Sequence, residues 1–147
     1  MKLTIAWIGK TKSAAIQSLT DEYLKRLRQY TEAEGASLKD EAALLKFCGR
    51  DGRIGRRRLV LLDSRGKQLT SEEFAALIRD QQHRYPVPLV FALGPADGFT
   101  AEVRAQSDLE LSLGKMTIAH ELARVVLLEQ LYRAFTILKG HPYHLGH

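Results

Sequence analysis

Three short apolar runs, Leu3-Thr-Ile-Ala-Trp-Ile8, Leu59-Val-Leu-Leu62 and Leu89-Val-Phe-Ala-Leu93, are each followed directly by Gly or Asp. A strand wetted on one face alternates polar and apolar residues; these do not, so they predict strands covered on both faces. Helical spacing fills the intervals. Ile16, Leu19, Tyr23, Leu24 and Leu27 recur over 13–30, Leu44, Leu45 and Phe47 over 40–48, and Phe74, Leu77 and Ile78 follow Thr70 and Glu73, which are spaced as a capping box, up to about Arg84. A short helix is predicted over 101–106, then an apolar run Leu109–Leu113 broken by Glu110 and Ser112, then a long helix from near Ile118 to Leu138, closed by Gly140 and Pro142. Residues 31–38 are polar enough that any strand there is short and peripheral. Asp63-Ser-Arg-Gly66 should stop the second run at Leu62, and 49–58, punctuated by Gly49, Gly52 and Gly55, reads as an exposed loop. This order predicts an α/β chain with a mostly parallel sheet flanked by helices, one domain over 1–147 without a repeat.

The chain's 147 residues suffice for a real core, and 45% apolar with 27% charged residues argue against disorder, collagen or coiled coil. The single cysteine, Cys48, excludes an intrachain disulfide and any cysteine metal cluster, which suits a reducing compartment. No apolar run approaches the roughly 18 residues of a membrane span, and MKLTIAWIGK lacks a cleavage site. A soluble, cytoplasmic protein is expected, with no membrane and no metal.

Net charge is only +5, but it is segregated. Between Lys46 and Lys67 stand eight basic residues, among them Arg50, Arg56, Arg57, Arg58 and Arg65, against two acids. A phosphate-binding surface and a solvated loop both fit that pattern.

In parallel sheets, ligands bind beyond the carboxyl ends of strands, which selects the segments after Leu62, Leu93 and Leu113. Gly94-Pro-Ala-Asp-Gly98 and Gly114-Lys-Met-Thr117 are glycine-bearing loops there, suited to close backbone approach or to tight turns, and Thr117 is placed to cap the last helix. Neither matches GxGxxG or a phosphate loop. In the last helix, Glu121 and Arg124 interrupt a stripe shared with Leu128, Leu131 and Phe135. A buried charge needs a partner. An ion pair between the two, a contact across a dimer, and an arginine holding substrate phosphate are the readings that fit. The tail Gly140-His-Pro-Tyr-His144 offers His144 as a proton acceptor and Tyr143 for stacking or hydrogen bonding, or else a terminus packed on a partner.

Taken together, Leu93-Gly-Pro-Ala-Asp-Gly98, Leu111-Ser-Leu-Gly-Lys-Met-Thr117, His120-Glu-Leu-Ala-Arg124, Glu129-Gln-Leu-Tyr-Arg133 and His141-Pro-Tyr-His144 resemble, in order and nearly end to end, the bacterial large-subunit ribosomal RNA methyltransferases of the SPOUT superfamily that modify N3 of a pseudouridine. The resemblance implies an α/β-knot fold with a deep C-terminal trefoil knot and a homodimer formed through the knot region. It also implies S-adenosylmethionine held by Leu62, Gly94, Leu113, Gly114, Lys115, Met116, Thr117 and Ile118. The implied substrate is a pseudouridine in helix 69 of 23S rRNA within the assembled 70S ribosome. His144, Tyr143 and Arg124 are the expected catalytic residues: base, positioner of the base, and anchor for phosphate or developing charge. The rival class is a catalytically silent knot protein that binds rRNA; a small-molecule-binding structural dimer is a third. The chain departs from the family pattern at Pro95, where a second Gly is common, at Gly114, often Ser, and at Leu145, where a basic residue commonly follows the HPYH segment.

Overall fold

A computed structural model describes residues 1–52 and 55–146, with only the backbone of Gly146 described. The elements are β1 (Lys2–Ile8), α1 (Ala14–Leu27), β2 (Glu32–Leu38), α2 (Glu41–Phe47), β3 (Arg58–Gln68), α3 (Ser71–Arg84), β4 (Leu89–Leu93), α4 (Ala101–Gln106), β5 (Leu109–Ser112) and α5 (His120–Leu138), followed by a short 3-10 turn at His144–Gly146. All five strands are parallel, in the order β2-β1-β4-β3-β5. Among the described residues, no helix is long and apolar enough to cross a membrane.

The apolar runs occupy the three central strands, and the two-residue period of a strand divides each between two cores. Leu3, Ile5, Val60 and Phe91 face one core with Leu24, Phe74, Leu128 and Phe135 of α1, α3 and α5. Ala6, Leu59, Leu61 and Val90 face the other with Leu44 of α2 and Val103 of α4. The polar segment at 32–38 does form a strand, at the sheet edge as expected. Its Gly35 makes room for an indole: a Cβ there would lie 2.8 Å from Trp7 Cη2. The predicted capping box is present, with Glu73 N–H donating to Thr70 Oγ1 at 3.0 Å and Thr70 N–H donating to Glu73 Oε1 at 2.8 Å.

Two local expectations fail. β3 does not stop at Leu62 but continues to Gln68 through an irregularity, pairing Leu62 with Leu111 and then Lys67 also with Leu111. Polar turn formers alone do not end a strand whose continuation finds partners on β5. Gly66 permits that return, because its backbone presses on those of Glu110 and Leu111. The cap of α5 is Ala119, with no side-chain cap bond, and Thr117 remains in the loop before it.

Candidate active site

Residues 62–65 within β3 and the carboxyl ends of β4 and β5 open onto one cleft of about 560 Å3, inside the range of about 300–1,000 Å3 common for small-molecule sites. Leu62, Gly94, Leu113, Gly114, Met116, Thr117 and Ile118 all line it. Lys115, expected with them, does not; its side chain is exposed. The walls combine apolar side chains with glycine backbone. Gly94 is closely packed, since a Cβ would meet the Phe99 ring at 3.2 Å, whereas Gly114, at φ +146, faces open space. Met116 is 86% exposed, an apolar side chain at the rim with little to cover it. Size, apolar walls and glycine loops therefore suit a flat nucleoside with a short amino-acid arm. A second cavity, about 200 Å3 between Lys67, Phe74, Leu111 and Gln130, is smaller than ordinary small-molecule sites.

Asp63, which the sequence reading passed over, sits on the cleft wall with its carboxylate nearly buried, accepting from Arg65 N at 3.0 Å, Nε at 2.8 Å and Nη2 at 2.9 Å. These bonds, the side-chain bond from Arg65 first, hold its pKa down to about 2 from an ordinary 3.8. A depressed folded-state pKa gives stability that is present above the ordinary value and is lost as pH falls through the folded one. The Tm difference between wild type and Asp63→Asn is therefore expected to shrink as pH falls from about 4 to about 2. Thermal melts across that range check it; a constant difference would refute the linkage.

Arg124 is not at the cleft mouth. It is 2% exposed, its guanidinium 3.8 Å over the Trp7 ring, with Nη1 donating to Thr11 Oγ1 at 2.8 Å and Thr20 Oγ1 at 3.4 Å. Burial lowers its pKa, partly opposed by the charge of Glu121. Glu121 itself accepts from the backbone N–H groups of Lys12 and Ser13. The expected ion pair is thus replaced by two separate attachments of the 11–20 region to α5, and Arg124 in this position is closed to a phosphate. Cation–π attraction strengthens on desolvation, which favours this interior seat.

The basic segment is likewise tied to its own chain. Arg50, its side chain 5% exposed, donates to the carbonyls of Cys48, Arg57 and Gln106 and to Asp108 Oδ2. Arg56 pairs with Asp108, Arg57 lies 4.0 Å over Phe47, and Arg58 donates to Gln81 and lies 4.1 Å over Tyr85. Arg50, Arg57 and Arg58 are thus drawn onto the protein, whereas Arg56, 61% exposed, stays on the loop surface; Arg53 lies outside the described residues.

The tail folds back on its own chain. Tyr143 O–H donates to Glu129 Oε2 at 3.2 Å, and its ring meets Tyr132 edge-on at 4.9 Å. Burial, then Glu129, pushes the phenol up to about 12, so Tyr143 stays protonated near neutrality. Its hydroxyl contacts Glu129, which in turn holds Arg133 beside the His144 ring. The His144 ring lies between Arg133 Nη1, 3.0 Å from Nδ1, and Glu72 Oε1, 2.8 Å from Nε2. Sequence reading left Glu72, Glu129 and Arg133 without a role. The Glu129–Arg133 spacing of four on one helix was a visible signal; Glu72 and His144, 72 positions apart, had none. Among the described residues, no group of three His, Cys, Asp or Glu side chains converges as a metal site.

A parallel sheet with glycine loops gathered at the ends of β4 and β5, beside the middle of β3, defines the class: residues 1–144 match the family described as Predicted SPOUT methyltransferase. Full-length relatives narrow it. The chain is 55% identical over 147 residues to the ribosomal RNA large subunit methyltransferase H of Koribacter versatilis, covering 100% of both, and 43% identical over 152 aligned positions to that of Geobacter sulfurreducens, covering 98% of this chain and 99% of that one. The chain belongs to the SPOUT methyltransferases and, within them, to the ribosomal RNA large subunit methyltransferase H family. Two solved structures share its fold at low identity. A probable methylase family protein from Haemophilus influenzae gives TM-score 0.63 at 11% identity, covering 96% of this chain and 69% of that one. The SpoU methyltransferase AviRb from Streptomyces viridochromogenes, solved with AdoMet, gives 0.54 at 12%, covering 90% and 57%. Parallel strands between helix layers agree with the α/β-knot fold of the class.

Proposed function

We propose that the protein, as a cytoplasmic homodimer, methylates N3 of a pseudouridine in helix 69 of 23S rRNA within the assembled 70S ribosome. The observation that carries this reading is the cleft between the middle of β3 and the ends of β4 and β5, lined by nearly every residue expected to hold S-adenosylmethionine. Bound there, S-adenosylmethionine supplies an electrophilic methyl on a sulfonium sulfur. The chain must then do two things: hold the base against that cleft and take the imide proton, because N3 has no lone pair suited to attack while protonated.

His144 is the proton acceptor in this reading, directly or through one water. Arginine only donates hydrogen bonds, so Nδ1 facing Arg133 presents a lone pair and the ring proton resides on Nε2, toward Glu72. Nδ1 becomes available when the Arg133 contact opens. A second subunit is favoured by Leu122 and Val126, one turn apart on α5 and exposed at 53% and 37%, and by the open rim at Met116. The chain's 147 residues form one five-stranded sheet and its helices, leaving little room for separate RNA recognition, which suits a substrate presented by a folded particle.

The test is transfer of labelled methyl to ribosomes lacking the modification, followed by mapping of the nucleotide. Label at N3 of a helix 69 pseudouridine is expected. Binding of cofactor and ribosome without transfer would leave the silent rRNA-binding protein.

A further inference from the structure

We propose that Glu72, in the first turn of α3, is the positioning residue for His144, holding the ring by its Nε2–H so that Nδ1 is the nitrogen that takes the proton. This rests on the reading of His144 as base.

The groups facing the ring come from two helices and the tail. Arg133 is held by Glu129 through Nε at 3.1 Å and Nη2 at 3.0 Å, which leaves Nη1 for His144 Nδ1 at 3.0 Å. Glu129 also accepts from Tyr143, so the arginine is fixed and the ring nitrogen before it cannot carry a proton. Nε2 must carry it and donates to Glu72 at 2.8 Å. The helix cap is made by its neighbour Glu73 with Thr70, and the largest effect on the Glu72 carboxylate, which is held below its ordinary range, is its bond to His144. Among the described residues it is the carboxylate bonded to the ring, set in the first turn of a helix. A carboxylate bonded to one imidazole nitrogen fixes the tautomer and stabilises the cation formed when the other takes a proton.

In the reaction the substrate N3–H bond would break with its proton passing to Nδ1, and the electron pair left on N3 would form the new N–C bond as the S–CH3 bond of bound S-adenosylmethionine breaks, that bond's electron pair staying on the sulfur of the departing S-adenosylhomocysteine. The imidazolium then has N–H on both sides. Nδ1–H cannot face Arg133, so the ring must part from the guanidinium while Nε2–H still has Glu72. Glu72 therefore matters most in the charged state.

The side chain of Glu72 is 65% exposed, so the pair adds little to stability and its variants should fold. In Glu72→Gln the plateau kcat is expected to fall about tenfold. The acid limb of the kcat–pH profile should move to lower pH, because the cation loses the carboxylate, which its bond to His144 holds below the ordinary range. KM for S-adenosylmethionine should not change, and Glu72→Asp, which keeps the charge, should restore part of the rate and the position of the limb. An unmoved acid limb in Glu72→Gln, with the rate unchanged or lowered, overturns the proposal. A His144→Ala protein as fast as wild type overturns the base assignment instead, so the two failures are distinguishable.

Discussion

His144→Ala is expected to slow methyl transfer to ribosomes by about 10²- to 10⁴-fold, the ordinary contribution of a positioned general base. Affinity for S-adenosylmethionine should not change. His144 is absent from the residues lining the cleft, and its ring contacts are Arg133 and Glu72. Losing a half-exposed hydrogen bond leaves the two cores intact, so the variant should melt close to wild type. Single-turnover rates at saturating donor, set beside calorimetric binding of S-adenosylmethionine, separate the effects. Equal losses in rate and affinity would show that the tail closes the cleft and does not supply the base. Tyr143 does not replace it: a phenol pushed up to about 12 has little phenolate near neutrality.

Gly66→Ala is expected to be the most destabilising single-methyl change in the sheet. Its Cβ would stand 2.6 Å from the carbonyl carbon of Leu111 and 2.7 Å from that of Glu110. Both neighbours are backbone, so no rotamer relieves the overlap; the returning part of β3 and β5 must separate. The cost lies at the upper end of overpacking penalties, about 3 kcal/mol. For a chain of this size that is a fall of roughly 6–12 °C in Tm. The same displacement moves Leu62 and Ser112, which line the cleft, so donor affinity should fall with stability. Thermal denaturation and donor titration of the variant check both. A Tm within about a degree of wild type would mean that the two backbones are not in contact.

Much of this was legible from residues. The central strands follow from uninterrupted apolar runs, α3 from its capping box, and the cleft from the rule that ligands meet parallel sheets at their carboxyl ends. Where the reading failed, the deciding partner lay far along the chain. Asp63-Ser-Arg-Gly66 has turn chemistry, yet the backbone of Leu111 extends the strand. Arg50 reads as a solvated cation, yet Asp108 and three carbonyls draw it inward. Thr117 has capping chemistry, but α5 begins later, at a residue without a cap.

Local pattern by itself determined which segments are strands and helices, their alternation, and thus a parallel sheet with ligand loops at one end. Hydrophobic period and helix capping act over a few residues, and a sequence displays them directly. Only the tertiary structure decided the fate of the charges. Arg124 meets Thr11 across 113 positions, and Glu72 meets His144 across 72. An arginine's preference for phosphate, an indole face or a carboxylate depends on what the fold places within about 4 Å, where desolvation sets the strength of each contact.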